Sequence, residues 1–214
     1  MSFKNRTDAG RQLAARLAHY KGQDAVLLAL PRGGVPVAAE VAAVLSAPID
    51  LVFVRKIGVP MQPELAMGAV VDGDPPVVVR NEDVIRLAGV NESSFRAVCE
   101  RELAEITRRR RLYLGGRAPT PIKDRVVIVI DDGIATGATT RAALRAIRSR
   151  QPKKLILAVP VGPTDTIEAM REEADEVHCF KIYADFGAIG EFYEDFSQTT
   201  DQEVIDILAK YPPA

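Results

Sequence analysis

Apolar positions along the chain fall into two patterns. Ala25–Leu30, Ile49–Val54, Val126–Ile130 and Leu155–Val161 are short continuous apolar runs, the signature of strands buried on both faces of a parallel sheet. Between them the apolar residues recur with helical period. Residues 7–19 place Ala9, Leu13, Ala14 and Leu17 on one face, with Thr7 or Asp8 as N-cap, and Val35–Leu45 reads as an Ala/Val-rich helix. Thr140–Arg150 and Thr164–Glu173 predict further helices, and Asp201–Lys210 predicts another with Val204, Ile207 and Leu208 inward. Glu176–Lys181 reads as a strand. Strand, helix and strand within about thirty residues make a βαβ unit, hence a parallel sheet with right-handed crossover. Met67–Val71 and Val77–Val79 flank the turn signal Asp72-Gly73-Asp74 and predict a hairpin arm. The predicted class is α/β, an open and mostly parallel sheet with helices on both faces.

Residues 81–118 change character. Asn91 can cap a helix whose stripe is Phe95, Val98, Cys99, Leu103 and Ile106; it runs into Arg108-Arg109-Arg110-Arg111 and stops at Gly115-Gly116. The segment separates the first βαβ unit from the Val126 strand and reads as a helical insertion. The arginine run is either a solvated face or a contact for phosphates or RNA. Residues 182–214 form a C-terminal segment, and the aromatics gather from Phe180 onward: Tyr183, Phe186, Phe192, Tyr193 and Phe196. The whole of 1–214 reads as one domain carrying this insertion.

Composition changes the picture little. At 214 residues, 47% hydrophobic and 27% charged, the chain can bury a full α/β core. A net charge of −1 gives no bulk attraction to nucleic acid or anionic membrane, so neither is an expected partner. Cys99 and Cys179 lack C-x-x-C spacing and read as reduced core thiols. Met1-Ser2-Phe3-Lys4-Asn5-Arg6 has no apolar signal region and no apolar run reaches membrane-spanning length, which leads to the expectation of a cytoplasmic protein.

The chemistry concentrates at the end of the Val126–Ile130 strand. Asp131 and Asp132 follow it, then Gly133, Ile134, Ala135, Thr136, Gly137, Ala138 and Thr139, and then a helix. A loop of small residues entering a helix N-terminus cradles phosphate through backbone N–H groups, with the Thr136 and Thr139 hydroxyls as added donors. The carboxylates would repel phosphate, but as acceptor-only groups they suit the vicinal hydroxyls of a sugar. The combined reading is a ribose 5-phosphate site. A strand ended by a polar turn is the alternative, and it leaves the acid pair and both threonines unexplained.

Asp131-Asp132-Gly133-Ile134-Ala135-Thr136-Gly137-Ala138-Thr139 resembles the phosphoribosyl pyrophosphate (PRPP) motif of the type I phosphoribosyltransferases. That resemblance implies transfer of 5-phosphoribosyl from PRPP to a nitrogenous base, purine favoured. It also implies Mg²⁺ carried with PRPP, a part in nucleotide salvage, and a homodimer. No residue is assigned to a metal. Leu30-Pro31-Arg32-Gly33-Gly34 follows the first buried strand, and the resemblance makes Arg32, Gly33 and Gly34 a pyrophosphate loop whose peptide is often strained or cis in that family. Arg55 and Lys56 resemble the Arg-Lys pair that opens the mobile loop of the adenine enzymes; in that role they neutralise departing pyrophosphate. Ordinary solvated charges at a strand end are the other reading. Gly58, Pro60 and Pro63 punctuate a loop read as a lid.

Ala135 stands where hypoxanthine-guanine enzymes place an Asp that accepts the purine proton, as in the adenine form of the motif. The proton role then falls to a lid glutamate, and Glu64 is the nearest candidate, against a purely structural exposed residue. The aromatic segment resembles the hood over the base in purine enzymes, with shifted spacing. Phe186 is the base-stacking candidate, while Tyr193 and Phe196 read as packing residues. A PRPP-binding regulator with little turnover is the second class of function, favoured only by the arginine run.

Overall fold

The computed structural model describes residues 2–73 and 75–212. The elements in chain order are α1 (Arg6–Leu17), a 3-10 turn (Ala18–Tyr20), β1 (Ala25–Ala29), α2 (Gly34–Leu45), β2 (Ile49–Leu51), β3 (Val54–Val59), β4 (Gln62–Val71) and β5 (Val77–Arg80). They continue with α3 (Glu82–Leu87), α4 (Glu92–Leu114), β6 (Val126–Ile130), α5 (Ala138–Ser149), β7 (Lys154–Pro163), α6 (Thr164–Met170) and β8 (Glu176–Tyr183). A second 3-10 turn (Ile189–Phe192) and α7 (Asp201–Lys210) complete the chain. No helix of the described residues is long and apolar enough to cross a membrane.

Five strands form a parallel sheet in the order β2-β1-β6-β7-β8. The continuous apolar runs are explained by burial on both faces. Val126, Ile128 and Ile130 enter one core with α1, α2 and α7; Val127 and Val129 enter the other with α5 and α6. Residues 127–130 are wholly inaccessible to solvent, and each such side chain contributes about 1.5–3 kcal/mol relative to exposure.

Three predicted features differ. The run Ile49–Val54 is not one strand. The Val52 N–H still reaches Ala29 O (3.1 Å), but the Phe53 N–H turns to Asp72 Oδ1 (2.8 Å), and the chain crosses into a second, antiparallel sheet, β3-β4-β5. An unbroken apolar run carries no mark of such a crossing. The predicted lid loop is consequently a hairpin turn at Pro60-Met61 between β3 and β4, with register shifts at Ile57–Gly58 and Gly58–Val59. The cap of α1 is Asn5, whose side chain accepts the Asp8 N–H at 2.9 Å, rather than Thr7 or Asp8. In the hairpin-arm signal Asp72-Gly73-Asp74, Asp74 lies outside the described residues; β4 and β5 do pair antiparallel around it.

Residues 81–118 hold α3 and α4, and Asn91 caps α4 by accepting from the Ser94 N–H. Three of the four arginines of the run face acids of the fold itself. Arg108 and Arg109 pair with Glu105, and half-buried Arg110 pairs with Asp72 at 2.8 Å.

Candidate functional site

From β1 the sheet extends one way to β2, and from β6 it extends the other way to β7 and β8. The order therefore reverses between β1 and β6, and an open α/β sheet binds ligands at that crevice, beyond the carboxyl ends of its strands. The two loops leaving the sheet there are Pro31–Gly34 and Asp131–Ala138, the two segments singled out in the sequence.

They are packed on each other. A Cβ on Gly33 would lie 1.9 Å from Asp132 Oδ2, and one on Gly34 would lie 2.5 Å from Ile130 O, so only glycine allows this approach. The peptide between Pro31 and Arg32 is cis. Arg32 reaches back to Asp201 at the start of α7 (3.3 Å), and the Tyr113 hydroxyl donates to the same carboxylate at 2.5 Å. Burial and the Asp201 charge push the Tyr113 hydroxyl up to about 12.

The two acids have different surroundings. Asp131 accepts the Asp132 N–H on Oδ1 (2.9 Å) and lines a cavity of about 90 Å³ with Pro31, Arg55, Arg109 and Thr139. Burial, with the neighbouring Asp132 charge, holds its carboxyl well above the usual carboxylate range. Asp132 is buried and receives the Arg6 Nε–H at 2.7 Å. Arg6 also donates to Ser197 O (2.6 Å) and lies 3.9 Å over the Phe196 ring, while the Tyr193 hydroxyl donates to Asp132 O (2.6 Å). One arginine thus clamps Asp132 to the C-terminal segment.

The rest of the loop is braced from below. The Ile134 N–H donates to Val161 O (2.9 Å), and the Thr166 hydroxyl donates to Ala135 O (2.8 Å). A Cβ on Gly133 would lie 2.6 Å from Ile189 Cγ2. Gly137 caps α5 at φ +74° with no side-chain cap, which leaves the first-turn N–H groups of α5 without an intrahelical partner. Ala135, Thr136, Ala138 and Thr139 are exposed there, as a phosphate cradle requires.

Arg55 and Lys56 stand on β3 rather than in a loop. Arg55 reaches the cavity beside Asp131 and pairs with buried Glu102 of α4 at 2.9 Å. Lys56 points elsewhere and pairs with Glu64 Oε2 (2.9 Å); the Glu64 side chain is almost fully exposed on β4. Phe186 stacks on Phe192, with centroids 4.8 Å apart and planes 22° apart, inside the aromatic cluster below the acid pair. The structure thus gathers the Pro31–Gly34 loop, Arg55, Asp131 and Thr139. It leaves Lys56, Glu64 and Phe186 at the periphery.

Arg6, Glu102 and Asp201 escape sequence reasoning. Arg6 is 126 positions from Asp132, and no spacing pattern links them. Tyr193 packs on Phe3 as expected, but its hydroxyl also fixes the Asp132 carbonyl.

A family model described as the phosphoribosyl transferase domain matches residues 3–197. Two Mycobacterium tuberculosis proteins named as phosphoribosyl transferases, from strains CDC 1551 and H37Rv, are 48% identical over 206 residues. The match takes in 96% of this chain and 46% of each relative, so the chain spans about half the length of the curated relatives it matches. The crystal structure of TT1426 from Thermus thermophilus superposes with a TM-score of 0.84 at 37% identity, covering 99% of both chains. A match that takes in both glycine-paired loops, the acid pair and the clamp from Arg6 leaves one assignment: the chain belongs to the phosphoribosyl transferase domain family.

Proposed function

We propose that this site transfers 5-phosphoribosyl from PRPP to a nitrogenous base, purine favoured, with release of pyrophosphate. The observation that carries the reading is the convergence, at the reversal between β1 and β6, of a glycine-paired loop, an acid pair and a phosphate cradle beside Arg55. The Thr136–Thr139 backbone and the α5 N-terminus take the 5-phosphate. Asp131, with Asp132 behind it, accepts from the ribose hydroxyls. The Gly33 N–H faces the pyrophosphate, the Arg32 guanidinium turns to it from Asp201, and Arg55 meets the charge that grows on it as the C1 bond breaks.

Asp132 already has Arg6 as its cation, and Asp131 presents carboxylate oxygens, the hard donors that Mg²⁺ takes, to the cavity at this edge, so the residues present fit Mg²⁺. Asp131 is the residue that would face it. Carried on PRPP, the ion supplies charge neutralisation of the leaving pyrophosphate. From their peripheral positions Lys56 would serve the pyrophosphate, Glu64 the base proton and Phe186 stacking on the base only if the β3–β4 hairpin and the aromatic segment move inward when substrate binds. A homodimer and a cytoplasmic setting complete the reading.

The test is a screen of purine and pyrimidine bases with PRPP and Mg²⁺, following pyrophosphate release, with PRPP affinity measured in parallel. One base should give turnover that is lost in Asp131→Asn/Asp132→Asn. Full activity in Glu64→Gln would remove that residue from the proton role. PRPP binding without turnover on any base would make the chain a PRPP-binding regulator.

A further inference from the structure

The chain contains only two histidines, and the fold brings both to one glutamate. His19 sits in the 3-10 turn that ends α1; Glu176 and His178 are alternate residues of β8 and so share a face of the sheet. One ligand atom from each of the three side chains falls within 4.8 Å of the others. Glu176 Oε2 and His178 Nε2 are 3.1 Å apart, and the two imidazole rings have centroids 6.0 Å apart.

The surroundings hold this carboxylate in place. The Tyr20 hydroxyl donates to Glu176 Oε2, and Lys154 pairs with Oε1 on the opposite side. A carboxylate fixed by outer hydrogen bonds beside two imidazoles is how proteins orient ligands around a metal. Two nitrogens and one oxygen suit a late first-row divalent ion with water in the remaining position, whereas Mg²⁺ demands oxygen.

We propose that His19, Glu176 and His178 bind a divalent transition-metal ion of the zinc class, which clips the end of α1 to the edge strand β8. On binding, the Nε2 proton of His178 that faces Glu176 leaves to solvent or moves to Nδ1, the freed Nε2 lone pair takes the ion, and Lys154 keeps the other Glu176 oxygen. The site lies at the amino end of β8, away from the carboxyl-end crevice that holds Asp131, with the length of α1, about 18 Å, between His19 and Arg6. It is structural and independent of the transfer reaction.

The test titrates chelator-stripped protein with Zn²⁺ alone against a chromophoric indicator. Wild type should bind one ion per chain that millimolar Mg²⁺ does not displace. His19→Gln, at an exposed position, and His178→Ala should lose that ion while keeping any PRPP binding. Tyr20→Phe should keep the stoichiometry with about tenfold weaker affinity. No binding in wild type overturns the proposal, as does unchanged stoichiometry in both histidine variants. A Zn²⁺ signal that survives in His178→Ala but disappears in Asp131→Asn/Asp132→Asn also overturns it, by placing the ion at the acid pair.

Discussion

Replacing Arg6 by Met removes the cation from a buried pair while keeping most of the aliphatic volume over Phe196. Both side chains of the pair are only 12% exposed, and the contact is a 2.7 Å hydrogen bond. Breaking such a pair from one side strands the other charge, at about 3–5 kcal/mol. The partial exposure argues for the lower end, about 3 kcal/mol, to which loss of the cation–π contact adds about 0.5–1 kcal/mol. For a chain of this length about 3 kcal/mol corresponds to a fall in Tm of roughly 6–12 °C. Urea unfolding followed by circular dichroism should show the midpoint falling at constant slope. Asp132→Asn on the Arg6→Met background should recover much of the loss, because the stranded charge goes with it; the pair then shows a coupling of about 1–3 kcal/mol. A loss below about 1 kcal/mol in Arg6→Met, or strict additivity in the double variant, would refute the claim that Arg6 neutralises Asp132.

Other outcomes follow from the same site. Asp131 keeps its proton to higher pH in the folded chain than in the unfolded chain. Its contribution is therefore fully present below the ordinary Asp range and is lost as pH rises through the raised value; urea midpoints from pH 4 to 8 should decline less in Asp131→Asn than in wild type. Parallel curves would contradict that reading. Gly33→Ala forces a methyl into the Asp132 carboxylate and should cost about 1–3 kcal/mol in thermal unfolding, with PRPP affinity falling in calorimetric titration. Glu102→Gln frees Arg55 from its partner and should change kcat more than PRPP affinity, while Arg55→Ala should lower kcat; weaker PRPP binding with kcat unchanged would make Arg55 a binding residue only.

The residues that sequence reasoning found are those whose roles are local. Val126–Ile130 alternates between two cores, and both faces demand apolar side chains, so the strand is visible without its neighbours. The loop from Gly133 to Thr139 is equally visible, since a close backbone approach imposes small residues over consecutive positions. Arg6 was invisible because an arginine near the start of a helix has no local mark, and its partner is set by how α1 lies across the sheet. The same holds for Glu102 beneath Arg55, and for His19 and His178, each isolated in sequence. The crossing at Val52–Phe53 was hidden for a different reason. A residue buried between two sheets looks the same as one buried within either, so the run Ile49–Val54 could not reveal that Arg55 and Lys56 belong to a hairpin.

Phe3 forms a parallel bridge to Tyr193, and its N–H donates to Phe192 O at 2.8 Å. This contact carries a consequence for the order of assembly. During synthesis the parallel sheet can pair as far as β7 while Arg6 still lacks Phe196 and Ser197, and the acid pair lacks the Tyr193 hydroxyl beneath it. Closing a contact of such long sequence separation is slow compared with the local helices and the β3–β4 hairpin. The ligand edge is therefore among the last parts of the chain to become rigid, after the core that supports it has formed.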